Sequence, residues 1–346
     1  MKTVEDINFT NKKVIIRCDF NVPIKNGEIL EDQRIEESLK TIKYVLKQKP
    51  RLLLIISHLG RPEGKNVSEL SLEPVRKKLK EFTGREIVLI KTLEELKNIK
   101  KENDNETYLL ENIRFWTEEE KADDEFAKKI ADGFDVYINE AFSASHRDHS
   151  SISRIPKFVE NKCAGILFKN EIDQFSKIKN PQEHPAVAIV GGAKIKTKLP
   201  VIENLKKGYD YILVGGIIAN EVLDQKLKLG ERVLLPVDFK PDEKSRLDIG
   251  SKTIEKFRKK IKEARIIIWN GPLGKFEDEE YSRGTKEIVD AIISNNLAYK
   301  LIGGGESIEV IKKFSNFSKF DYVSMSGGAM LEFLAGKELP GIKALS

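Results

Sequence analysis

In Leu52-Leu53-Leu54-Ile55-Ile56-Ser57-His58-Leu59-Gly60-Arg61-Pro62, an unbroken aliphatic run empties into a loop that carries a histidine and an arginine. A run of that length and apolarity predicts a strand covered on both faces. In open parallel sheets, ligands bind outside the carboxyl ends of the strands. The pattern recurs: Val14-Ile15-Ile16 runs into Arg17-Cys18-Asp19-Phe20-Asn21, Tyr108-Leu109-Leu110 into Glu111-Asn112-Ile113-Arg114, and Val136-Tyr137-Ile138 into Asn139-Glu140 and then His146-Arg147. The first half of the chain therefore gathers cations at one edge of a sheet. Between such runs the spacing predicts helices over 38–49, 122–132, 253–262 and 284–293, and the alternation gives an α/β class with mainly parallel sheets.

At 346 residues the chain is longer than one core usually grows, so two domains are expected. Its composition, 40% hydrophobic and 33% charged, is that of an ordinary soluble protein. No apolar run approaches the roughly 20 residues that span a bilayer, and Met1-Lys2-Thr3-Val4-Glu5-Asp6 lacks a signal-peptide core. A cytoplasmic location without a membrane partner is the expectation. A net charge of +5 is too slight, and the lysines too scattered, for a nucleic-acid partner. Cys18 and Cys163 cannot build a disulfide framework and read as packing residues. The four histidines, His58, His146, His149 and His184, show no ligand spacing with a companion carboxylate, so beside arginines His58 and His146 point to an anion rather than a metal.

Glycine divides the chain, with five of its 23 glycines before residue 160 and eighteen after, mostly just past apolar runs. Val190-Gly191-Gly192, Val214-Gly215-Gly216, Asn270-Gly271-Pro272 and Ile302-Gly303-Gly304-Gly305 read as strand exits where the backbone itself approaches a ligand. A strand ending in glycines and opening a helix suits phosphate, because the free N–H groups and the dipole both favour an anion. Gly303-Gly304-Gly305-Glu306-Ser307, before a helix expected over 308–314, is the best such candidate, with a plain turn as the alternative. Lys194 and Lys198, four apart after Gly191-Gly192, place two ammonium groups on one helix face. Glu277, closing Trp269 to Glu277, either caps a helix through Thr285 or reaches a ribose hydroxyl. The second half thus has the character of a nucleotide domain, with a boundary near 155–158. There is no Walker pattern and no convincing dinucleotide glycine fingerprint, which counts against P-loop enzymes and nicotinamide dehydrogenases.

In their order these motifs resemble the phosphoglycerate kinase family over essentially the whole chain. The resemblance is carried by Arg17 to Pro23, Gln33-Arg34-Ile35, Ser57 to Pro62, Leu110 to Phe115, His146-Arg147, Gly191 to Lys194, Trp269 to Glu277, Gly303 to Ser307 and Leu339-Pro340-Gly341. It implies two Rossmann-like three-layer domains facing a cleft. Residues 1–160 would bind 3-phosphoglycerate, with the tail 331–346 packing back on them. Residues 161–330, with a bridging helix near 165–177, would bind ADP or ATP with Mg2+. By match to the family's motifs, Asp19, Phe20, Asn21, Arg34, His58, Leu59, Gly60, Arg61, Arg114 and Arg147 form the 3-phosphoglycerate or 1,3-bisphosphoglycerate site. Gly191, Gly192, Lys198, Gly215, Gly216, Asn270, Glu277, Gly303, Gly304, Gly305, Glu306 and Ser307 form the nucleotide site, with Glu306 toward the metal. Arg34, Lys194 and Lys198 would act on the transferred phosphoryl group, in a monomer.

Four features depart from the family pattern. The glycine loop ends Glu306-Ser307 where Asp-Thr is common, Ser324-Met325-Ser326-Gly327-Gly328-Ala329 replaces Ser-Thr-Gly-Gly-Gly-Ala, Glu140 stands for an Asp, and the chain is short, like the compact prokaryotic members. The competing expectation is a non-catalytic binding or regulatory protein on the same fold.

Overall fold

The run Leu52–Ile56 is a strand with every residue buried, and its neighbours explain why it has no polar face. In the computed structural model, which describes residues 1–101 and 106–346, strands β1 (Lys13–Arg17), β2 (Leu52–Ile56), β3 (Ile87–Ile90), β4 (Thr107–Leu110), β5 (Val136–Asn139) and β6 (Asn161–Ala164) form one sheet in the order β3-β4-β2-β1-β5-β6. All its pairings are parallel. The helix Gln33–Lys47 turns Ile35, Leu39, Ile42, Val45 and Leu46 inward. At that three-four spacing they meet Val14, Ile16, Leu53 and Ile55 in one core. This helix begins before the expected residue 38 because its buried stripe opens at Ile35, and that places Arg34 in its first turn.

A second parallel sheet holds β7 (Ala186–Val190), β8 (Tyr211–Val214), β9 (Val233–Leu234), β10 (Ile266–Asn270), β11 (Tyr299–Gly303) and β12 (Tyr322–Ser324) in the order β9-β8-β7-β10-β11-β12. Val187, Ile189, Leu213, Ile267, Trp269 and Ile302 pack under the helices Ser251–Glu263 and Arg283–Ser294. In each sheet the chain builds outward from its first strand and then returns to that strand's other side. The reversals fall between β1 and β5 and between β7 and β10, the positions where α/β sheets open a crevice for ligands.

The chain divides into two units, Met1–Ile172 with Glu338–Ser346, and Asp173–Lys337. The first runs past residue 160 because β6 pairs with β5, register Ile138 to Cys163, and the division then falls inside the helix Ile166–Lys179. Residues 331–337 stay with the second unit, where Asn204 Nδ2 donates to the Leu334 carbonyl at 2.6 Å. The terminal residues belong to the first, through Gly341 N–H to Ser145 O at 2.9 Å. Among the described residues, no helix is long and apolar enough to cross a membrane.

Candidate active site

At the carboxyl edge of the first sheet, the loops after β1, β2 and β5 meet at Asp19, and the loop after β4 packs on the one after β2. Its carboxylate receives Arg34 Nη1 and the Ser143 hydroxyl, and the Asn21 N–H at 3.1 Å. Burial opposes its charge, but the Arg34 guanidinium and the Ser143 hydrogen bond hold its carboxyl well below the usual range. Asn21 Oδ1 in turn accepts the Gly60 N–H at 2.8 Å. The loop after β2 is pinned by Asn112, which accepts from Leu59 N at 3.2 Å and donates to Leu59 O at 2.7 Å. Glu111, accepting from Leu72 N at 2.7 Å and Asn112 N at 2.9 Å, holds that segment.

Arg114 donates to Gly60 O at 2.7 Å, has Glu120 Oε1 3.3 Å from its Nε and is 3% exposed, yet among the described residues its Nη2 has no hydrogen-bond partner. Burial together with Arg147 and Arg17 pushes its pKa down to about 10. A buried guanidinium with a donor unused, where Arg147 and Arg17 outweigh Glu120 and Glu119, suits an incoming anion. Burial, with the charges of Arg17, Arg114 and Arg147, also holds His58 well below the ordinary histidine value, Asp19 offsetting only part of this.

In the second unit the loops after β7, β8, β10 and β11 meet backbone to backbone. Gly191 N–H donates to Asn270 O at 2.9 Å, Gly192 N–H to Pro272 O at 2.7 Å, and Gly216 N–H to Leu273 O at 2.9 Å. A Cβ on Gly191 would lie 2.6 Å from Gly271 O, and one on Gly192 would lie 2.6 Å from Glu306 Oε2. Gly304, at φ +104°, opens the helix Gly305–Phe314, and no side chain caps that helix. The expected start at 308 is thus three residues late: the glycine loop is itself the first turn. Asn270 Nδ2 donates to Gly303 O at 2.6 Å and Gly271 N–H to Ser307 Oγ at 2.7 Å, fixing that turn against β10. Lys198 is buried, donates to the Gly191 carbonyl, and is pushed down to about 8, chiefly by burial, despite Glu306. Lys194, in the left-handed region at φ 70°, is exposed at the start of the helix Ile195–Leu205.

Of the residues expected at the first site, Asp19, Asn21, Arg34, His58, Gly60 and Arg114 come together, and Arg147 adds its charge to theirs. Phe20 and Leu59 are core residues, so only their backbone faces the loops. Arg61 is exposed. In the second unit Gly191, Gly192, Lys198, Gly216, Asn270, Gly303, Gly304 and Ser307 meet, Gly215 packs against Leu273, and Gly305 and Glu306 are exposed at the helix start. Glu277 does not cap through Thr285, whose hydroxyl takes the Leu273 N–H at 3.2 Å; its side chain is exposed. Sequence reasoning missed Arg17, Ser143 and Glu119, because each acts through another side chain distant in sequence. Arg17 ends a strand, and only its charge at a buried position hinted at more than packing.

The family model described as phosphoglycerate kinase matches residues 4–236 and 222–337. A phosphoglycerate kinase of Finegoldia magna is 38% identical, with 99% of this chain and 98% of the relative covered. One of Thermosipho africanus is 40% identical, covering 99% and 97%. Those alignments run over 392 and 396 positions, so both relatives carry segments that a chain of 346 residues omits. The solved phosphoglycerate kinase from Coxiella burnetii superposes with a TM-score of 0.87 at 35% identity, covering 99% of this chain and 98% of that one. A model matched across both units, with relatives of this identity along the full length, makes the chain a member of the phosphoglycerate kinase family.

Proposed function

We propose that the chain is a phosphoglycerate kinase, transferring a phosphoryl group reversibly between 1,3-bisphosphoglycerate and ADP to give 3-phosphoglycerate and ATP. The observation that carries the reading is the pairing of two unlike anion sites in one chain: a cluster in one unit of half-buried Arg34 on Asp19 with buried Arg17 and Arg114 near it, and in the other a glycine-lined helix start without a side-chain cap. A small molecule with both a carboxylate and a phosphate needs several forked cationic donors, which Arg34, Arg114 and Arg147 supply. Asp19, kept ionised, accepts the glycerate hydroxyl. The Gly304-Gly305 turn, with Lys194 and Lys198, takes the nucleotide phosphates.

In the ATP-forming direction a β-phosphate oxygen of ADP attacks the acyl phosphate; one P–O bond forms as the other breaks, and the 3-phosphoglycerate carboxylate leaves. No enzyme nucleophile is needed, so the residues contribute by positioning and by stabilising charge. Arg34 and Lys194 touch the moving group, and Lys198 holds its neighbouring oxygens. For Mg2+, among the described residues no cluster of His, Cys, Asp or Glu could hold an ion alone. A single carboxylate at Glu306 beside Gly192 fits an ion that draws its other ligands from nucleotide phosphates and water. When bound, the ion would neutralise phosphate charge. The reading also carries a cytoplasmic monomer without nucleic-acid or membrane partners.

The test is turnover of purified protein with 3-phosphoglycerate, ATP and Mg2+, read as 1,3-bisphosphoglycerate trapped by a coupling dehydrogenase. Activity lost with either substrate or the metal omitted is expected. Tight binding of both substrates without turnover would overturn it.

A further inference from the structure

Arg17 closes β1 with its side chain fully buried, and all three nitrogens of its guanidinium are engaged. Nε donates to Ser151 Oγ at 2.7 Å, Nη1 to the Cys18 carbonyl, and Nη2 lies 3.2 Å from His58 Nδ1. Ser151 is held in turn by Glu119, donating its hydroxyl at 2.6 Å and its N–H at 2.8 Å, and Glu119 is wholly buried. The Tyr137 hydroxyl fixes the Ser151 carbonyl at 2.7 Å. The guanidinium thus cannot rotate away from the imidazole without breaking a buried chain of hydrogen bonds.

A guanidinium has donors only and cannot be deprotonated in a protein. The atom facing Nη2 must therefore offer a lone pair. The usual orienting partner of a functional histidine is a carboxylate or carbonyl that takes the Nδ1 proton and leaves Nε2 as acceptor. Here the polarity is reversed. The nearest carboxylate, Asp19, is 3.8 Å from Nδ1, beyond hydrogen-bond reach, and is already bonded by Arg34, Ser143 and Asn21 N–H. The other charges felt by the ring are Arg17, Arg114 and Arg147, which all oppose a further cation.

We propose that Arg17 is a positioning residue that fixes His58 as the neutral tautomer with its proton on Nε2, so that the ring gives the acceptor substrate a hydrogen bond rather than a charge. The inference rests on the reading that this cluster binds phosphorylated glycerate. It denies His58 a role as general base, and makes its contribution to substrate affinity independent of pH across the range where free histidine titrates.

The experiment is long-range proton–nitrogen correlation NMR of protein labelled with 15N at histidine, the His58 signals being assigned by their loss in His58→Gln. In the wild type, Nδ1 should be pyridine-like and Nε2 pyrrole-like, unchanged between about pH 6 and 8. Arg17→Lys, which keeps a donor, should retain the pattern. Arg17→Met should move the proton toward Nδ1 or make the ring titrate, and weaken 3-phosphoglycerate binding on the order of tenfold, as for one lost hydrogen bond. A protonated Nδ1, or a ring titrating between about pH 6 and 8 in the wild type, overturns the proposal. A folded Arg17→Met that keeps the wild-type pattern and affinity also overturns it; if that variant does not fold, Arg17→Gln, too short to reach Nδ1, is read in its place. Absence of turnover beside the expected spectrum would sink the kinase reading and leave the tautomer standing.

Discussion

In the first unit the groups that would meet an anion are side chains locked by other side chains, whereas in the second they are backbone groups brought close by the absence of side chains. Around Asp19, Arg34 and Ser143 bond from two separate segments, and His58, held by Arg17, stands 3.8 Å away on a third. Around Gly304, the loops pack so tightly that a Cβ on Gly191, Gly271 or Gly304 would strike a neighbour. The contrast follows from the ligands proposed. A compact glycerate with two anionic ends is told apart by direction, which forked donors supply. A polyphosphate tail is a row of oxygens, which oriented N–H groups can line at close range.

The largest effect should come from Gly191→Ala. Its Cβ would run into the Pro272 carbonyl and sit 2.6 Å from Gly271 O, both backbone atoms that no rotamer can clear. A loss of about 3 kcal/mol in stability is expected, with nucleotide affinity down at least about a hundredfold. In denaturant melts and calorimetric titrations, unchanged values would show that the cradle is slack and the contrast false.

Next, Arg34→Ala should leave the fold and ATP affinity near normal while kcat falls about a hundredfold or more, the effect of removing a charge of about 3 kcal/mol from the transition state. Steady-state kinetics with near wild-type kcat would remove Arg34 from the moving group. A smaller effect sharpens the comparison by pH. Burial pushes the Glu140 carboxyl up to about 8, although the Thr41 hydroxyl donates to it at 2.6 Å and Leu167 N–H at 3.2 Å. Because the folded state holds this proton more tightly than the unfolded chain, its stabilisation is full below the ordinary glutamate value and is lost as pH rises through about 8. Glu140→Gln should flatten that decline in unfolding free energy, by an amount on the order of 1–3 kcal/mol in denaturant melts across pH. A parallel decline in both proteins would mean that Glu140 does not titrate there. The smallest effect is Gly305→Ala, where nothing lies within 4 Å of the new Cβ and φ is not positive. Stability should stay within about 0.5 kcal/mol, and a large loss in the same melts would show a contact that the helix start conceals.

The second unit's site was the more legible in sequence, because glycine freedom is a local property and the glycines mark their own strand exits. The first unit's cations could be counted, but not their wiring: Arg17 and Ser151 lie 134 residues apart, and no spacing rule joins them. Arg34 illustrates the intermediate case. Its residue type was readable, while its place in the first turn of Gln33–Lys47 required the buried stripe to be followed back to Ile35. The unit boundary is hard to read in sequence for a related reason, since whether Asn161–Ala164 opens the second unit or completes the first sheet depends on pairing with β5.

Amide NMR of the labelled protein, titrated separately with 3-phosphoglycerate and with ATP and Mg2+, tests the division of labour most directly. 3-Phosphoglycerate should move the amides of Cys18 to Asn21, Gly60 and Arg114 and leave Gly191, Gly192 and Gly304 to Ser307 unmoved, with the nucleotide doing the converse. If 3-phosphoglycerate shifts Gly304 to Ser307, or leaves Asp19 and Gly60 untouched, the assignment of one anion to side chains and the other to backbone is wrong.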